Sequence, residues 1–134
     1  MPRIDLALVI CEQGEDRENI VAALRRCGLS PICCANLGEA RILMSQEEFR
    51  VVLCSDNLSN GDFREVLREA KKSSIYTPVI VLSRSADWDS YLKALAVGAF
   101  DFILCPPSSA EAERILWSAL AVTMQPEKTA HAAA

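Results

Sequence analysis

The chain has 134 residues, a length that favours one domain able to bury its own core without metals or disulfides. Hydrophobic residues make up 51% and charged residues 24%, which is a globular balance rather than a disordered one. The net charge of −4, with no long basic run, argues against nucleic acid as a partner. No apolar run approaches the roughly 18 to 20 residues that cross a bilayer, and the N-terminus lacks the pattern of a secretory signal. No membrane partner and a cytoplasmic location are therefore expected.

Short apolar runs alternate with amphipathic helical patterns. Leu6 to Cys11 reads as a strand covered on both faces. A helix follows from about Asp16, with Ile20, Ala23, Leu24 and Cys27 at helical spacing and Gly28 placed to end it. Ile32 to Ala35 is a second short strand, Glu39 to Met44 a short helix, and Val51 to Ser55 a third apolar strand. Asn60-Gly61 is a turn signal, after which Phe63, Val66, Leu67 and Ala70 stripe the next helix.

Pro78 opens a fourth strand, Val79 to Leu82. Trp88, Leu92 and Leu95 stripe a helix from near Asp87 to Gly98, and Phe100 to Leu104 is a fifth strand that Pro106-Pro107 breaks. Ser108 or Ser109 caps the last helix, whose stripe is Ile115, Leu116, Ala119 and Leu120. The polar, Ala-rich stretch 124–134 reads as a frayed tail and holds the one histidine, His131. Five such βα units imply a parallel sheet with helices on both faces. The functional crevice of such a sheet lies beyond the carboxyl ends of its strands, which here carry Cys11-Glu12, Ser55-Asp56, Ser83 and Cys105.

The six cysteines, Cys11, Cys27, Cys33, Cys34, Cys54 and Cys105, form no C-x-x-C pair, and most lie within apolar stretches. They read as small buried hydrophobes rather than a disulfide framework. Cys33 and Cys34 are adjacent in a strand, so their side chains should oppose each other across the sheet. Trp88 reads as packing locally. Trp117 falls between the apolar positions of its helix, either covering the core edge or marking a contact surface. Lys71-Lys72-Ser73-Ser74 reads as a solvated helix end.

From about Ile4 to Val122 the chain resembles the receiver domain of two-component response regulators. The likeness rests on four stretches in the right order and spacing: Gly28 to Ala40, Val51 to Asp62, Pro78 to Ser83, and Ala96-Val97-Gly98-Ala99-Phe100-Asp101-Phe102-Ile103-Leu104-Cys105-Pro106, the most specific. It implies a flavodoxin-like (βα)5 fold, with sheet order 2-1-3-4-5, over residues 1–123. It also implies a cis peptide at Cys105-Pro106.

The resemblance further implies a phosphorylation site built from two metal-holding acids, an acceptor aspartate, a hydroxyl and a lysine. Carried over, the acidic pair falls on Cys11 and Glu12, the acceptor on Ser55, the hydroxyl on Ser83 and the lysine on Cys105. One acid and one hydroxyl survive. Glu12 alone is a poor Mg²⁺ site, and Ser55 is a weak nucleophile without a base, so neither metal nor cofactor is expected. Asp56 is the alternative acceptor, but its side chain should point away from that of Ser55 unless a bulge intervenes.

Three readings follow. The first is a non-enzymatic signalling module of a two-component phosphorelay in a bacterial-type pathway. It would not be phosphorylated, and it would bind a protein partner or a second copy through the surface of the fourth helix, fifth strand and fifth helix, the face that the resemblance implies. The second is a phosphorylatable receiver using Asp56. The third is a cysteine-based redox sensor using Cys11 and Cys105, which lacks a positive neighbour once the lysine is gone.

Overall fold

The computed structural model describes residues 5–56, 58, 61, 63–73, 77–84 and 87–123. Strands and helices alternate along them: β1 (Leu6–Ile10), α1 (Glu15–Arg26), β2 (Ser30–Cys34), α2 (Leu37–Gln46), β3 (Val51–Ser55), α3 (Phe63–Ser73), β4 (Val79–Ser83), α4 (Trp88–Ala96), β5 (Asp101–Leu104) and α5 (Ser109–Thr123). The strands make one parallel sheet in the order β2-β1-β3-β4-β5, with Leu8 beside Val52, Val52 beside Val79 and Ile80 beside Asp101. This is the expected flavodoxin-like arrangement.

The unbroken apolar runs of β1, β3 and β4 have a simple cause. Successive side chains point to opposite faces, and both faces are covered. On one face Val9, Leu53, Ile80 and Ile103 pack with Ile20 and Leu24 of α1 and Ile115 and Leu116 of α5. On the other, Leu8, Ile10, Val52 and Cys54 pack with Leu37 and Ala40 of α2 and Val66 and Leu67 of α3. Val81 continues that second face towards Ala94 of α4. Cys33 and Cys34 go to opposite faces, as their adjacency requires.

Several boundaries differ from the sequence reading. Strand β2 starts at Ser30, two residues early, because it is an edge strand and Pro31 needs no second ladder partner there. Helix α2 starts at Leu37 rather than Glu39. The Asn36 side chain accepts from the Glu39 amide at 3.0 Å, and the Glu39 carboxylate accepts from the Ala35 amide at 3.0 Å. That reciprocal cap satisfies donors a helix start would otherwise leave unpaired. Ser108 caps α5, accepting from the Glu111 amide at 3.2 Å. Gly28 ends α1 at φ 81°, a left-handed conformation that favours glycine. The Cys105–Pro106 peptide is cis. Asn60, the stretch 124–134 and His131 lie outside the described residues.

Leu53 is fully buried at the centre of β3, the middle strand. Leu53→Ala should lower unfolding free energy by about 2–5 kcal/mol, whereas Ile42→Ala on the exposed side of α2 should change it by less than about 0.5 kcal/mol. Urea titration of both variants measures the difference.

Candidate functional site

Parallel strands all end at one edge, so the sheet delivers the carboxyl ends of β1, β3, β4 and β5 to one place. Three backbone bonds carry the ladder just past those ends. The Cys11 amide donates to the Cys34 carbonyl at 3.0 Å, the Asp56 amide to the Leu82 carbonyl at 2.9 Å, and the Cys105 amide to the Ser83 carbonyl at 2.7 Å. The residues that close the strands are thus held as firmly as the strands themselves. Between them lies a crevice of about 440 Å³.

All six residues singled out from the sequence line this crevice: Cys11, Glu12, Ser55, Asp56, Ser83 and Cys105. Ser83 and Cys105 are buried, Cys11, Ser55 and Asp56 half-buried, and Glu12 exposed. Asp56 was expected to turn its side chain away from that of Ser55, and as a residue it borders the crevice and a second cavity beside Val81. Strand β3 ends at Ser55, and its ladder to β4 continues in register through the Asp56 amide without a bulge. The in-register ladder carries the alternation on to Asp56, and both residues border the crevice. Asp56 also borders a smaller cavity of about 170 Å³, with Phe63 of α3, Val81 and Lys93 of α4.

Two further residues were missed by the sequence reading. Asp16, in the first turn of α1, lines the crevice, as does Arg84, the first residue past β4. Arg84 Nη2 meets Asp16 Oδ2 at 2.7 Å. The lost lysine therefore does not leave the crevice without a cation, as the sequence alone implied. A sequence signal for Asp16 existed in the acidic opening of α1, Glu15-Asp16 and Glu18, which complements the positive end of a helix. For Arg84 there was none beyond its place after the strand.

The electrostatics of the crevice favour neutral thiols. Burial pushes the Cys105 thiol up to about 12, with Asp16 and Cys11 adding to the rise and Arg84 opposing it. Burial, then the Asp16 carboxylate, also raises Cys11. On β2, burial and then Glu39 push Cys34 up to about 11. Cys33 is only half-buried and takes a hydrogen bond from Arg17, but it does not line the crevice.

The resemblance implies a Mg²⁺ site, and these residues do not suit that ion. It wants oxygen ligands in near-octahedral array. Cys11 offers a protonated thiol, Ser55 a neutral hydroxyl, and one Asp16 oxygen is already engaged by Arg84. Among the described residues no three His, Cys, Asp or Glu side chains are grouped to hold a metal ion.

Away from the crevice, α4 carries an aromatic surface. Trp88 is 68% exposed and stacks on Tyr91 with ring centroids 5.2 Å apart, and Tyr91 meets Phe102 of β5 edge-on at 5.7 Å. Trp88 thus packs locally, as expected, but on one side only. Leu92 and Leu104 are exposed as well, and Trp117 is exposed on α5 rather than covering the core edge. Among the described residues no helix is long and apolar enough to cross a membrane.

No family model matches the chain. It is 27% identical to the response regulator protein PilR of Pseudomonas aeruginosa over 114 residues, 85% of this chain and 26% of that protein. It is 25% identical to the regulatory protein AtoC of Escherichia coli over 131 residues, 98% of this chain and 28% of that protein. The chain thus spans about a quarter of the length of these curated relatives. Among solved structures it superposes on NtrX from Brucella abortus in complex with ADP with a TM-score of 0.85 at 20% identity, covering 96% of this chain and 30% of that one. A CheY-like response regulator receiver domain protein from Methanospirillum hungatei gives a TM-score of 0.80 at 18% identity, covering 92% and 98%. In sequence the chain is thus similar to response regulators, and its fold is that of the CheY-like receiver domains.

The raised thiols give the protein an alkaline weakness. A thiol whose pKa is higher folded than unfolded stabilises the fold in full below the unfolded value of 9.0, and that stability is lost as pH rises through the folded values of about 11 and about 12. Urea midpoints should therefore fall steadily above pH 9.0, and Cys105→Ala should flatten the fall.

Proposed function

We propose that this receiver domain is a non-enzymatic signalling module that passes its signal by protein–protein contact and takes no phosphoryl group at the crevice. One observation carries the reading. The residue that ends β3 at the crevice is Ser55, and the residue past β5 is Cys105, a buried thiol held neutral at physiological pH. Phosphoryl transfer between two anions is driven by positioning and by cations set around the transferring group. Here the acceptor carboxylate is replaced by a hydroxyl, a weak nucleophile at its ordinary pKa, and the β5 cation by a thiol.

The contact surface we assign is the face of α4, β5 and α5. Trp88, Leu92 and Leu104 expose apolar area there, and Trp and Tyr are enriched where proteins meet. A signalling partner or a second copy of the chain would occupy that face. A phosphorelay in the cytoplasm is the setting in which such a module fits.

Asp56 supports a second reading, a receiver that phosphorylates one residue along from the usual place. Its border on the crevice favours that reading; the paired state of the neighbouring Asp16 and the neutral Cys105 weigh against it. The raised Cys11 and Cys105 thiols weigh against a redox role at the crevice, because the thiolate is the reactive form.

Incubation with acetyl phosphate and Mg²⁺ followed by intact-mass measurement separates the first two readings. No mass gain is expected from the wild type. A stoichiometric gain of one phosphoryl group that Asp56→Asn abolishes would establish the second reading instead.

A further inference from the structure

Arg84 leaves β4 and crosses the mouth of the crevice to α1, and Asp87 caps α4 three residues after it. The two members of the ion pair sit in different surroundings. The Asp16 side chain is 16% exposed and its Oδ1 is buried without a hydrogen-bond partner, whereas the Arg84 side chain is 70% exposed. Glu12, Glu15 and Asp56 border the same cavity. A carboxylate with one oxygen turned inward gains from a cation that answers the other.

We propose that Arg84 is a built-in counter-ion for this crevice, and that its bond to Asp16 fixes the end of β4 and the start of α4 against α1 with no external cation or phosphoryl group. The guanidinium provides from within the chain the neutralising charge that an acidic crevice otherwise takes from solution. The consequence falls on α4, whose first turns carry Trp88 and the Tyr91 that rests on Phe102. Those aromatics are presented in one arrangement because the strand end that leads into them is tied down. The inference goes beyond the functional reading above and does not depend on whether the α4 face has a partner or whether Asp56 accepts a phosphoryl group.

The pair's partial exposure sets the scale. An ion pair with one solvated member shifts local opening modestly, so the effect is read best from hydrogen exchange of individual amides in the full chain. Arg84→Gln keeps the length of the side chain and removes its charge. It should speed exchange at Ser83, Arg84 and Asp89 to Leu92 by about two- to fivefold. Arg84→Lys keeps the charge and should match the wild type. Arg26→Gln, which breaks the Arg26–Glu113 pair between α1 and α5, should leave α4 unchanged. If Arg84→Gln does not fold, Asp16→Asn is read by the same criterion. Unchanged exchange at these amides in Arg84→Gln, or equal acceleration in Arg84→Lys, would overturn the proposal. The first outcome would mean that the pair holds nothing, the second that shape rather than charge holds it.

Discussion

A parallel sheet covered on both faces can offer chemistry only at its edges, and here this constraint governs everything else. The side chains of β1, β3 and β4 are used up in the two core faces, so each strand contributes to a site only where it ends. Because all strands run the same way, those ends gather, and the ladder bonds at Cys11, Asp56 and Cys105 set their spacing. A residue one step beyond a strand is then both rigidly placed and free of the core's demands. That is why the identities of a few such residues can change while the scaffold stays intact.

The changes at this crevice are physically consistent with one another. Metal-dependent phosphoryl chemistry keeps several carboxylates close together, which is tolerable only while cations offset them. With Cys11 and Ser55 at two of those places, less negative charge is concentrated there. The half-buried carboxylate of Asp16 is answered by Arg84 from the end of β4. The thiols at Cys11 and Cys105 complete the arrangement as neutral groups, since burial and Asp16 both favour their protonated forms. Arg84 thus offsets one of the four acidic residues that border the crevice.

Much of this was legible in the sequence, and the exceptions have physical causes. The strands could be read because a strand buried on both faces must be apolar throughout, and the helices because their apolar stripes recur at the helical period. The six crevice residues could be read because parallel order places the strand ends together. Asp16 and Arg84 were missed because their importance lies in a pairing between α1 and β4, and no local pattern encodes a contact across that distance in sequence. The early start of β2 was hidden by Pro31, which argues against a strand except at an edge, and edges are known only once the sheet order is known.

The proposed function requires a crevice that takes up neither Mg²⁺ nor a phosphoryl group. Amide NMR of the isotopically labelled protein, titrated with Mg²⁺ and then with beryllofluoride as a phosphoryl mimic, reads that claim at the residues concerned. The resonances of Cys11, Ser55, Asp56 and Ser83 should stay in place throughout. Saturable shifts of those amides that need both reagents, and that vanish in Asp56→Asn, would contradict it.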